Sequence, residues 1–140
     1  MIVRVAQPSS YPWIVQRTGV APTRDFRAIE AVRADGSIAG MVGYDGWTPN
    51  SVAMHIALAS PMALRLLVEA GFVMAFDVSK KEIAFCVVRS DNRRSLRLVY
   101  HLGFRKTATL KDAWAPGIHF TVWEMHKQEC RWLKPVRKAA

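Results

Sequence analysis

Several side chains in this sequence have types and spacings that can do chemistry. His55 stands inside the apolar stretch 51–59. An imidazole titrates near neutral pH, so His55 is the candidate general base or else the maker of a structural hydrogen bond. Asp45 and Glu30 are carboxylates that suit a substrate amine, or plain surface charge. His119, His126 and Cys130 are the C-terminal metal-type donors. His126 and Cys130 have a ligand-like spacing, but no CxxC or second pair joins them, and no metal site is expected. Arg93, Arg97 and His101 recur at helical spacing and so share one helix face. Cys86, in the apolar run 83–88, reads as a small buried hydrophobe. Two cysteines are too few for a disulfide framework.

These residues need elements to position them. Residues 26–33 and 38–44 read as two strands around the turn Ala34-Asp35-Gly36-Ser37. Gly40 and Gly43 signal close backbone packing or a bulge. Residues 51–59 form a third strand. Ser60-Pro61 then opens a helix, with Ser at the cap and Pro in the first turn. That helix, 62–76, is apolar on most faces and must be buried. The run 83–88 suits a strand covered on both faces. Strand, helix, strand across 51–88 predicts a right-handed crossover joining two parallel strands. Asp91-Asn92 caps a second helix that ends at Gly103. Residues 105–110 and 118–125 are the last two strands, around Pro116-Gly117. Before residue 26 the pattern is weak: 8–22 is rich in turn formers and suits a short helix or irregular structure.

The chain has 140 residues and is 51% hydrophobic, enough for one packed domain. The expected division is an N-terminal segment 1–25, a core 26–126 and a basic tail 127–140. No apolar run is long enough for a membrane span, and residues 1–7 lack the features of a signal peptide, so a cytoplasmic location and no membrane partner are expected. Twenty Lys and Arg face eleven Asp and Glu, for a net charge of +9. Such a surface attracts phosphates, whether in nucleic acid, an anionic membrane or a phosphorylated cofactor. The tail reads as solvated polypeptide. Trp123 and Trp132 are candidates for an apolar partner patch.

The order of elements, and the segment Asn92-Arg93-Arg94-Ser95-Leu96-Arg97-Leu98-Val99-Tyr100-His101-Leu102-Gly103-Phe104 in particular, resemble the GNAT (general N-acetyltransferase) superfamily. Asn92, Ser95 and Leu102-Gly103-Phe104 match its pattern in spacing. The closing Gln128-Glu129-Cys130-Arg131-Trp132-Leu133 looks like the ending of small GNAT-like proteins of phage genomes. The resemblance implies an α/β (α+β) fold with a mixed, mostly antiparallel sheet, whose one parallel pair splays into a cofactor cleft. It implies an acyl-CoA-dependent N-acyltransferase, acetyl-CoA as cosubstrate, an unidentified primary amine as acceptor, and pairing of two copies through the C-terminal strands. Ala57, Leu58, Ala59, Ser60, Met62, Ala63, Leu64, Arg65, Asn92 and Ser95 fall on the coenzyme-binding positions. The backbone N–H of Ala57 or Leu58 is then the oxyanion donor.

The sequence departs from the family pattern at three places. Ala63 stands where the phosphate-binding turn carries its first glycine, and Arg65 where it carries a second small residue. Tyr100 is the candidate acid, but the family tyrosine falls one position earlier, on Val99, about 100° away around a helix. Ser95 and Tyr44 are weaker substitutes. Two further readings stay open: a GNAT-fold module that binds or regulates without catalysis, and a nucleic-acid-binding or -modifying protein using Arg93, Arg94 and Arg97, arginines that would equally suit the coenzyme's 3′-phosphate.

Overall fold

A computed structural model describes residues 1–133. Its seven strands form one sheet: β1 (Ile2–Val5), β2 (Arg27–Val32), β3 (Ile38–Asp45), β4 (Ser51–Leu58), β5 (Ile83–Arg89), β6 (Arg105–Ala115) and β7 (Ile118–His126). The strand order is β1-β2-β3-β4-β5-β7-β6, and every neighbouring pair is antiparallel except β4 and β5. The helices are α1 (Tyr11–Thr18), α2 (Pro61–Phe72) and α3 (Arg93–Leu102). This is the mixed, mostly antiparallel sheet that the family resemblance implies.

Period-two alternation assigns each face. On β4, Val52, Met54, Ile56 and Leu58 face the layer of α2 and α3, while Ala53, His55 and Ala57 face the layer of α1. Under α2, Val42, Tyr44 and Met54 meet Ala63, Leu67, Phe72 and Phe76. Under α1, Ile14 and Phe26 cover Ala28, Met41 and Ala57. Full burial of one such side chain contributes about 1.5–3 kcal/mol, which outweighs the cost of about 1 kcal/mol for Gly71 inside α2. The two glycines of β3 serve the two layers separately. A Cβ on Gly40 would lie 2.8 Å from Leu67 Cδ1 of α2. One on Gly43 would lie 2.4 Å from Phe26 Cζ on the other side.

Several elements differ from expectation. Residues 2–5 form an edge strand on β2, where no strand was expected; in Ile-Val-Arg-Val only Val3 packs against the core, so the alternation is weak. After Phe72 the helix widens into a π turn, Val73–Val78. The Tyr44 hydroxyl donates to the Gly71 carbonyl at 2.7 Å, just before the change. β6 runs to Ala115, beyond the expected end at 110, because it is an exposed strand pinned by β7 rather than by an apolar pattern. Trp123 and Trp132 are half-buried rather than exposed. Both pack against the core, and Trp132 Nε1 donates to the Leu102 carbonyl at 2.8 Å. Residues 134–140 of the expected tail lie outside the described residues. No described helix is long and apolar enough to cross a membrane.

Candidate active site

β4 and β5 pair only at their beginnings: Ser51, Val52 and Ala53 lie opposite Ile83, Ala84 and Phe85. Beyond that the two strands part. The hydrogen-bond phase of β4 follows from Ala59 N–H donating to Ala39 at 2.8 Å. In an antiparallel ladder this places Ala57 and His55 in bonded pairs with β3, and turns the backbone groups of Ile56 and Leu58 away from it. The N–H groups of Ile56 and Leu58 therefore point into the gap, with the backbone of Val87 on the far side. Unpaired backbone groups of this kind are what an added strand, or an amide-rich arm, can bond. Behind the gap lies an apolar crevice lined by Ile56, Leu58, Leu64, Val68 and Leu102.

On the α1 side of β4, His55 Nε2 is 2.8 Å from Asp45 Oδ1. A carboxylate only accepts, so Nε2–H donates and the Nδ1 lone pair is left for another proton. Asp45 occupies the last position of β3, opposite Ala53 and diagonal to His55 on the same face. Directly opposite His55 is Gly43. Its missing side chain lets the Phe26 ring descend, and that ring centroid lies 6.4 Å from the imidazole. Sequence reasoning marked Gly43 as a close approach but missed Phe26, which acts through space from a loop.

The start of α2 is fully engaged. Ser60 Oγ accepts from Met62 N–H at 3.2 Å, the Ser60 carbonyl accepts from Ala63 N–H at 3.1 Å, and Pro61 has no N–H to offer. Ala63 is completely buried, while Met62 and Arg65 are exposed and Leu64 faces the crevice. Ala59, at the end of β4, is exposed. At α3, Asn92 Oδ1 accepts from Ser95 N–H at 3.1 Å, so this matched pair is a helix cap.

Other candidates fall elsewhere. Tyr100 is 74% exposed on α3, in the layer opposite His55, while Val99 is buried. Tyr100 is turned to solvent, and an acid role does not follow from this placement. Tyr44 is no substitute: it is buried, its hydroxyl is committed to Gly71, and burial pushes its pKa up. Glu30 is not surface charge. It is 1% exposed, with Oε2 bonded to Arg4 Nε at 2.9 Å and Oε1 unpartnered. His119 Nδ1 accepts from Asp112 N–H, and His126 lies 3.4 Å from Glu124. Among the described residues, no three His, Cys, Asp or Glu side chains gather to hold a metal.

No protein-family model matches the chain, and no curated protein matches it in sequence. Its structure is nevertheless similar to solved ones. The spermidine N-acetyltransferase of Vibrio cholerae in complex with CoA and spermine superposes with a TM-score of 0.74 at 11% identity, covering 91% of this chain and 96% of that one. The same bacterium's spermidine/spermine N-acetyltransferase with manganese ions gives 0.71 at 12%, covering 89% and 91%. A dodecameric form of the spermidine N-acetyltransferase gives 0.73 at 10%, covering 91% and 94%. These likenesses show that the fold is that of the GNAT superfamily. They give no support to the resemblance of residues 128–133 to phage proteins.

Proposed function

We propose that this protein transfers an acyl group, acetyl in the first instance, from coenzyme A to a primary amine. The observation that carries the reading is the parting of β4 from β5 directly beside the Asp45–His55 pair. The pantetheine arm suits the gap, where the Ile56 and Leu58 N–H groups are free of β3. Leu58 N–H, rather than Ala57 N–H, is the donor aimed at a developing oxyanion, because Ala57 is held in the β3 ladder. His55 Nδ1 takes the proton from the incoming ammonium, and Asp45 balances the imidazolium that forms; as the N–C bond forms the C–S bond breaks, and coenzyme A leaves as a thiolate that takes up the amine's second proton. The solved neighbours act on spermidine and spermine, so a polyamine is the first acceptor to try. Pairing of copies through the exposed β6 belongs to the same reading.

A second reading has its own observation. The engaged N–H groups of Met62 and Ala63 leave the start of α2 with little to offer a pyrophosphate, which favours a module that has lost the reaction.

Calorimetric titration with acetyl-CoA and with free CoA separates the two, followed by thiol release in the presence of spermidine, spermine and a lysine peptide. Binding of acetyl-CoA with amine-dependent thiol release, lost in His55→Ala with binding kept, establishes the transferase. No binding at millimolar ligand overturns it in favour of the module.

A further inference from the structure

We propose that the outer face of α3 is a docking surface for single-stranded nucleic acid, with Arg93, Arg94 and Arg97 on phosphates and Tyr100 stacking on a base. The three arginines are exposed, and none has a side-chain partner among the described residues. The neighbouring acid, Asp91, does not neutralise them: Arg89 holds it through both oxygens at 2.8 and 3.1 Å. Arg93, Arg97 and Tyr100 lie on one stripe of the helix, and Tyr100 is among the most exposed aromatic side chains described, at 74%. An aromatic ring set among unpaired cations is the arrangement that single strands use, with backbone charge met by arginine and a splayed base met by the ring.

The fold itself gains nothing from this pattern. Arg93 and Arg94 open α3, where the helix dipole favours anions and disfavours cations, and no acidic residue occupies that first turn. The inner face holds the helix in place through Val99 and Leu102. The face is about 15 Å long, enough for two or three phosphates of a strand. The overall excess of +9 adds attraction at a distance. A duplex presents no free base to Tyr100, and a lipid surface presents none at all.

The test is fluorescence anisotropy of the full chain with a labelled oligouridylate of about 20 nucleotides, at several salt concentrations. A matched duplex and vesicles containing phosphatidylserine serve as competitors. Three phosphate contacts on a single strand predict a log–log salt slope of about −2. The triple variant Arg93→Gln, Arg94→Gln, Arg97→Gln should lose at least about tenfold in affinity and flatten the slope, while its Tm stays level or rises. Tyr100→Ala should lose about tenfold with the slope unchanged. The proposal is overturned by no binding at low salt, by affinity indifferent to these substitutions, or by stronger competition from the duplex or vesicles than from an unlabelled strand. Displacement of the strand by stoichiometric CoA would also overturn it, by giving the arginines to the coenzyme.

Discussion

Asp45 Oδ1 and His55 Nε2 lie 2.8 Å apart across the β3–β4 ladder, both on the sheet face that carries α1. The contact joins the end of one strand to the middle of the next, so the backbone register sets it. Both side chains are largely shielded, at 29% exposed for His55 and 16% for Asp45. A bond in that setting orients the ring more than it stabilises the fold.

Asp45→Asn tests this. An amide in that place can donate to Nε2, which favours the opposite tautomer and takes the lone pair from Nδ1. Transfer activity should fall by about tenfold or more in kcat, with amine KM little changed and a shifted pH profile. Combined with His55→Ala, the substitution should cost almost nothing further. Wild-type turnover in Asp45→Asn would remove the positioning role.

Tyr44 and Gly71 form the structural counterpart in the other layer. Tyr44→Phe leaves the buried Gly71 carbonyl short of a partner, at a cost of about 1–3 kcal/mol. Thermal unfolding should move down by roughly 3–10 °C. Hydrogen exchange should quicken over Val73–Val78 if the hydroxyl pins the π turn, and uniform exchange would show that it does not.

Much of this was readable from sequence, for physical reasons. The β4-α2-β5 crossover has strong signals: a Ser-Pro start, a long apolar helix and a short apolar strand. The cap at Asn92 and the αL glycine at Gly103, with φ of 99°, follow from local chemistry. What stayed hidden depends on contacts far apart in the chain. β1 is a strand only because β2 offers it an edge. Phe26 reaches His55 only because Gly43 lies beneath it. The buried hydroxyl that bonds the Gly71 carbonyl just before the π turn comes from a tyrosine 27 residues earlier. Asp45 read as one carboxylate among several until the register placed it on the histidine.

Gly43→Ala should disturb the α1 side of the sheet specifically. The new methyl would overlap Phe26 Cζ and Cε2, at 2.4 and 2.9 Å, and force the ring away. A loss of about 1–3 kcal/mol is expected, with reduced turnover because the ring flanks His55. Phe26→Ala costs more alone, about 3–5 kcal/mol. The double variant should lose less than the sum of the two in urea unfolding. Strict additivity would show that the ring and the glycine do not share one space.

Alkaline stability should carry the mark of Cys86. Burial pushes its thiol from 9.0 up to about 12. The folded state keeps a proton that the unfolded chain releases, so stability is full below about pH 9 and falls as pH rises toward 12. Tyr44, raised by burial in the same way, adds to the fall at the upper end. Urea unfolding at about pH 7.5, 9 and 10 should show a decline approaching 1 kcal/mol per pH unit, smaller in Cys86→Ala. An equal decline in that variant would place the titration elsewhere.

On the proposed transferase reading, Ser60 is the residue that tests how coenzyme A would be held. As the cap of α2 its hydroxyl accepts from Met62 N–H, and Ser60→Ala should cost about 0.5–2 kcal/mol in stability whatever the protein binds. The substitution also frees that N–H beside the gap. If the cap competes with a pyrophosphate for the same donor, Ser60→Ala should keep or tighten acetyl-CoA binding while lowering Tm. If the hydroxyl itself turns to the phosphate, affinity should fall by about tenfold along with Tm. Calorimetry and thermal melts on one preparation read both quantities. The crowded start of α2, where Pro61 has no N–H and Ala63 is already bonded, favours competition, so the expected result is a less stable protein that binds the coenzyme at least as well.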